Sequence, residues 1–211
     1  SVAAAAQLVS GHRCDDLVKV FFTEIRPVFR KSPLPVREAR PDLAADPTIR
    51  PMVQAIDQAN IVSTVTDLQN YFSRRHNEVG GVDAQNYLVS RYQSIPGLAV
   101  TTQNFDSGHD NVIAELTGVV NPDKVVIVGG HYDSINGGGA GLRAPGADDD
   151  ASGTATVLDI ARVLSQYPFE NTIRFIAWAK EEGGLVGSQA YVTSLQGSGD
   201  EVVGMLQLDM V

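Results

Sequence analysis

Four short stretches carry side chains that bind metals or move protons. They are His131 and Asp133 in GGHYDS, Asp148, Asp149 and Asp150 in PGADDDASG, Glu181 and Glu182 in AWAKEEGG, and Asp209 in LQLDM. A neutral imidazole is a good zinc ligand, and a nearby carboxylate can hold the ring through its other N–H. Three successive acids repel one another unless a cation compensates them. Acid runs are ordinarily solvated surface or helix caps. Here the Glu pair ends the apolar run IRFIAWA, and Asp209 is a charge inside another apolar run, so both call for partners. One histidine with several acids makes a nitrogen–oxygen donor set that suits zinc, with cobalt or manganese as alternatives.

The elements that must bring these residues together are legible in the spacing. Three β-branched apolar runs begin near Val125, Ile173 and Val202, and each ends in one of the chemical motifs. A helical segment separates each run from the next. That alternation predicts an α/β fold with parallel strands joined by helical crossovers. Parallel strands point the same way, so their carboxyl ends share one rim, where ligands bind.

Upstream, Ile61, Val65, Leu68 and Phe72 predict one face of a helix, with Arg74 and Arg75 as cations near its end and Gly80-Gly81 breaking it. Residues 82–94 predict a second helix with Ala84, Leu88 and Tyr92 inward. Residues 98–104 and 111–117 alternate as strands, and Asn121-Pro122-Asp123 reads as a turn. Residues 151–164 predict a helix with Val157, Ile160, Ala161 and Leu164 inward. Tyr191 and Leu195 belong to another, closed by Gly197-Ser198-Gly199. Residues 1–52 read as an irregular arm or the remnant of a pro-segment. Leu17, Val20, Phe21 and Ile25 would share one face of a short helix there, and Pro33, Pro35, Pro41, Pro47 and Pro51 then oppose regular structure.

The chain has 211 residues, 43% hydrophobic and 19% charged, which suffices for one α/β domain with a real core. A net charge of −9 argues against nucleic acid as a partner. No apolar run is long enough for a membrane helix, so no membrane partner is expected. The single cysteine, Cys14, has no internal disulfide partner. Without Met at position 1 or a signal-peptide pattern, the chain reads as a processed product. No G-x-G-x-x-G follows a strand and no Walker lysine appears, which excludes a nucleotide binder.

HYDS, PGADDDASG, AWAKEEGGLVGSQAY and LQLDM together resemble the motifs of the co-catalytic dizinc aminopeptidases of metallopeptidase clan MH, the secreted bacterial and fungal leucyl aminopeptidase type. The likeness covers residues 53–211. It implies a mixed, mainly parallel central sheet with helices on both faces, in a zinc-peptidase (phosphorylase/hydrolase-like) architecture. Residues 53–211 would form the N-terminal part of a catalytic domain whose C-terminal part is absent from this chain. The resemblance implies two zinc ions bridged by Asp149. His131 and Asp209 would complete one and Glu182 would ligate the other. Glu181 would be the general base and acid, and Asp133 the partner of the His131 ring. A cis peptide bond is expected between Asp149 and Asp150.

The implied activity is removal of the N-terminal residue from peptides, in a secreted, extracellular protein. The type's second histidine ligand lies beyond Val211, so a companion C-terminal chain is expected to supply it. His12, His76 and His109 do not match that position and read as surface or helix residues. Two alternatives stand beside this one: a non-catalytic binding ectodomain on a peptidase fold, and a single-zinc glutaminyl cyclase.

Overall fold

Short runs rich in Val and Ile become strands, and longer stretches with a period near 3.6 become helices. The computed structural model of the chain describes residues 19–21 and 46–211. Its strands are β1 (Lys19–Phe21), β2 (Ala99–Gln103), β3 (Asn111–Leu116), β4 (Asn121–His131), β5 (Asn171–Trp178) and β6 (Glu201–Gln207). They form one sheet in the order β1-β6-β4-β5-β3-β2. β4 runs parallel to both β5 and β6. The pairs β1–β6, β2–β3 and β3–β5 are antiparallel.

The sheet is therefore mixed. Its parallel part is the central trio that carries the chemical motifs. Connection length explains the difference. A short loop joins β2 to β3, which permits only an antiparallel pair, whereas the links β4–β5 and β5–β6 are each long enough for a helical crossover.

The helices are α1 (Ile49–Gln54), α2 (Gln58–Gln69), α3 (Val79–Gln93), α4 (Gly153–Leu164) and α5 (Val186–Ser194). Alternate strand residues face opposite ways, so the sheet has two apolar faces. Val112, Ala114, Val128, Phe175 and Ala177 meet Leu68 of α2, Leu88 and Tyr92 of α3, and Val157 and Ala161 of α4. Val125, Ile127, Ile176 and Trp178 meet Tyr191 of α5 on the other side. Helices thus cover both faces. No described helix is long and apolar enough to cross a membrane.

Several local expectations change. Val20 and Phe21 lie in β1, pairing with β6 rather than sharing a helical face, while Leu17 and Ile25 lie outside the described residues. The run of prolines does not exclude a helix at its end. Pro51 is the third residue of α1, where the missing N–H costs no intrahelical bond. Leu68 is buried, but Phe72 lies beyond the end of α2 and is 60% exposed. Gly80 and Gly81 sit inside the first turn of α3 rather than before it. A Cβ at Gly80 would lie 2.2 Å from the Ser73 carbonyl oxygen, so close approach of backbone explains that glycine. Asn121-Pro122-Asp123 opens β4 as an irregular strand start instead of a turn.

Candidate metal centre

β4 delivers His131 to the rim, and packing with α4 sets its place. A Cβ on Gly130 would come within 2.9 Å of the Gly153 carbonyl carbon and the Thr154 nitrogen, so the start of α4 lies directly on the end of β4. Thr154 Oγ1 donates to the His131 carbonyl at 2.7 Å. The buried imidazole has two distinct sides. Nδ1 lies 3.2 Å from the Asp133 carbonyl oxygen and 3.6 Å from Asp133 Oδ1. Nε2 lies 2.9 Å from Asp149 Oδ1 and 3.9 Å from both Glu181 Oε2 and Asp209 Oδ1. Three acids from three separate segments converge on one nitrogen. Burial disfavours the imidazolium, yet Asp133, Asp149 and Asp150 outweigh it and hold the His131 pKa well above its ordinary value.

The aspartate run lies in a wide turn, Ala147–Ser152, ahead of α4. The peptide bond between Asp149 and Asp150 is cis, as the resemblance implied. This turn divides the acids by role. Asp150 is fully buried. Its Oδ2 accepts the His131 N–H at 3.1 Å, and its Oδ1 accepts the N–H groups of Gly153 at 2.8 Å and Met210 at 3.1 Å. The Asp149 side chain is 46% exposed and is aimed at His131 Nε2. His131 chiefly, and Arg74 more remotely, hold the Asp149 pKa below its ordinary value against the effect of burial.

Arg74 holds the turn from behind. Sequence spacing placed it near a helix end as a cation suited to the helix dipole, and in the structure it is completely buried. Its Nε donates to the Tyr132 carbonyl at 2.7 Å. One terminal nitrogen donates to the carbonyls of Leu68 at 3.1 Å and Pro145 at 2.5 Å, and the other to Gly146 at 2.8 Å. Burial lowers its pKa to about 10, although Asp133, Asp150 and Asp149 favour the cation. Gly146, just before the aspartates, has φ +47 and no room for a side chain, with a Cβ falling 2.4 Å from the Asp149 carbonyl oxygen.

Glu181 and Glu182 follow β5 in a turn tied to the same centre. Asp133 Oδ1 accepts the Glu181 N–H at 2.9 Å and Asp133 Oδ2 the Glu182 N–H at 3.3 Å. Buried Asn111 closes the base of the turn by accepting from Ala179 N at 2.9 Å and donating to the Gly187 carbonyl at 2.8 Å. Burial raises the Glu181 pKa; His131 opposes this, and Asp133, Asp209 and Asp149 add to it. Glu182 is pushed up to about 7 by burial and then by Asp149, with His131 opposing.

These donors fit zinc by type, one imidazole nitrogen among carboxylate oxygens. By distance alone, His131, Asp150 and Asp209 form a compact group, with ligand atoms within 4.8 Å of one another. Asp150, however, already spends both oxygens on three backbone N–H groups. Asp149 is the acid with an accessible carboxylate beside Nε2, and the better donor. His76 and His109 are buried rather than surface residues, and neither belongs to that group. His12 lies outside the described residues. Sequence reasoning missed Arg74, Asp150 as an acceptor of backbone N–H groups, and Asn111. Gly146 and Gly153 around Asp150, and Gly108 before Asn111, were the available signals for those two.

Residues 111–211 match the model of Peptidase family M28. Leucine aminopeptidase 1 of Grosmannia clavigera is 33% identical over 191 residues, covering 83% of this chain and 46% of that protein. Leucine aminopeptidase 1 of Neurospora crassa is 34% identical over 176 residues, covering 77% and 43%. The chain thus spans about half the length of these relatives. Among solved structures, the LapA aminopeptidase of Legionella pneumophila superposes with a TM-score of 0.72 at 25% identity, over 83% of this chain and 49% of that one. A glutaminyl cyclase of Bacteroides thetaiotaomicron shares the fold, with a TM-score of 0.62 at 24% identity over 74% and 62%. The matched residues include all four motifs of the rim, and the chain belongs to peptidase family M28.

Proposed function

We propose that the chain supplies the metal-binding and proton-transfer residues for hydrolytic removal of the N-terminal residue from peptides. The observation that carries this reading is the convergence of Asp149, Glu181 and Asp209 on His131 Nε2. The named aminopeptidases among its relatives support the choice of reaction. Under this reading His131, Asp149 and Asp209 would hold one zinc, and Asp149 with Glu182 would contribute to a second. Bound zinc would supply Lewis acidity, lowering the pKa of a water and polarising the peptide carbonyl.

The chain's own residues do the rest. Asp133 keeps the His131 ring oriented with Nε2 toward the ligand space. Arg74 and Gly146 hold the turn that presents Asp149. Glu181 takes the proton of the attacking water and returns it to the departing amine. Burial raises its pKa above the ordinary carboxylate value, which makes it a stronger base toward the proton of the water.

Glu181→Gln tests the reading. The variant should keep the zinc content of the parent while turnover of aminoacyl-anilides falls by about 10²–10⁴-fold. Zinc lost together with activity would make Glu181 a metal ligand and overturn its assignment as the proton carrier. Unchanged turnover would do so as well.

A further inference from the structure

Lys180 stands immediately before the Glu pair and has φ +55, a left-handed conformation without glycine's freedom. Such a backbone persists where surrounding contacts hold it. Two contacts hold it: the Val186 N–H donates to the Lys180 carbonyl at 3.1 Å, and Lys180 Nζ donates to Asp106 Oδ2 at 2.7 Å. The lysine stem lies over the turn itself, and a Cβ on Gly183 would come within 2.8 Å of Lys180 Cγ.

Asp106 is a fixed anchor. Its other oxygen accepts the Gly108 N–H at 2.8 Å and lies 2.7 Å from His76 Nε2. The His76 ring is stacked on Phe105 with centroids 5.7 Å apart, and meets His109 edge-on at 4.6 Å. His109 in turn lies against Tyr132, the neighbour of His131, at 5.0 Å. Gly108 and Gly81 make room for this stack, since Cβ atoms there would fall 2.1 Å from His76 Nε2 and 2.3 Å from His109 Cε1. The turn carrying Glu181 is therefore held by Asn111 at its base, by Asp133 at its amides, by the N–H groups of Gly184, Leu185 and Val186 at its carbonyls, and by Asp106 through the Lys180 side chain.

We infer that Lys180 is a positioning residue whose ion pair with Asp106 sets the direction of the Glu181 carboxylate. The inference rests on the proposed role of Glu181 in proton transfer. Released from Asp106, Lys180 relaxes toward ordinary backbone angles. The peptide unit between Lys180 and Glu181 then rotates and draws the Glu181 N–H away from Asp133.

The experiment measures amide hydrogen exchange at Glu181 and Glu182, with and without zinc, beside kcat and KM. The variants are Lys180→Met, Asp106→Asn, their combination, and Lys180→Arg. Each of the first two should speed exchange at Glu181 roughly threefold, as expected for one partly exposed ion pair. Each should also lower kcat about tenfold with KM nearly unchanged, because small misplacement of a proton carrier is costly. The combination should be no worse than either alone, and Lys180→Arg should restore both readouts. Unchanged exchange in Lys180→Met, additive effects in the combination, or no rescue by arginine would each overturn the inference. Unchanged exchange with a lower kcat would place Lys180 at the substrate instead. Exchange needs no substrate, so a parent protein that cleaves no anilide would remove the aminopeptidase reading and leave this result standing.

Discussion

Asp133 serves two partners with one carboxylate. It faces the Nδ1 side of His131 and accepts the N–H groups of Glu181 and Glu182. Asp133→Asn keeps one acceptor oxygen but turns an NH₂ group toward a donor it formerly accepted. Zinc affinity, measured by chelator competition, should fall about 10–100-fold. Activity should fall with it, but by less than in Glu181→Gln. A loss as deep as that of Glu181→Gln would give Asp133 a direct part in proton transfer. Asp133 was legible in the sequence because H-x-D after a buried strand is a local pattern. Arg74 was not. An arginine whose side chain bonds only to backbone carbonyls has no partner side chain to betray it, and Arg-Arg after an amphipathic helix reads as a pair of cations placed for the helix dipole. The separate roles of Asp149 and Asp150 were likewise hidden in backbone geometry. His76 and His109 were misread because the glycines that admit them, Gly108 and Gly81, look like turn punctuation.

Among elements, the Ala147–Ser152 turn departs from helical backbone angles at Asp149 and Asp150, and Arg74 braces it from behind at Pro145 and Gly146. Arg74→Met would deprive four carbonyls of a donor at once, those of Tyr132 and Leu68 in buried contacts and those of Pro145 and Gly146 in part-buried ones. Unfolding by urea should show destabilisation of about 3 kcal/mol, with weaker zinc binding because Asp149 loses its support. Stability within about 0.5 kcal/mol of the parent would mean that water or another donor serves those carbonyls. The regular elements were largely readable. The period of α3 placed Ala84, Leu88 and Tyr92 inward, and all three are fully buried. β4 and β5 were found because buried strands read as unbroken apolar runs, and β6 was found from its apolar residues although it is only partly buried. Residues 98–104 and 111–117 read as strands and form β2 and β3, but their antiparallel pairing was not visible, since pairing partners at a sheet edge depend on connection length. β1 in particular pairs with a strand far away in sequence.

At the scale of the whole molecule, the rim sets charge against charge. Asp133, Asp149, Asp150, Glu181, Glu182 and Asp209 gather around His131, with Arg74 behind, in a chain whose net charge is already −9. Burial and mutual repulsion raise Glu182 from 4.5 to about 7, and burial raises Asp150 from 3.8 to about 7 against His131 and the backbone N–H groups of Gly153 and Met210. Between their unfolded and folded pKa values, the folded protein binds protons that the unfolded chain has released. Its stability must then fall as pH rises from about 4.5 to about 7. The raised pKa of His131 acts the same way above 6.5. The lowered pKa values of Asp106, at about 2, and of Asp149 act below 4, outside this window. At about 1.4 kcal/mol per pH unit, buried Asp150 loses about 3 kcal/mol over this range, and Glu182, discounted for its partial exposure, adds about 1 kcal/mol. For a chain of this size, the midpoint of thermal unfolding in a chelator should drop by roughly 10 °C between pH 5 and pH 8. Zinc should reverse the slope, because it replaces the protons with a fixed cation and binds better as its ligands deprotonate. A metal-free midpoint that climbs across this range would show that the acids are relieved by something other than protons or metal.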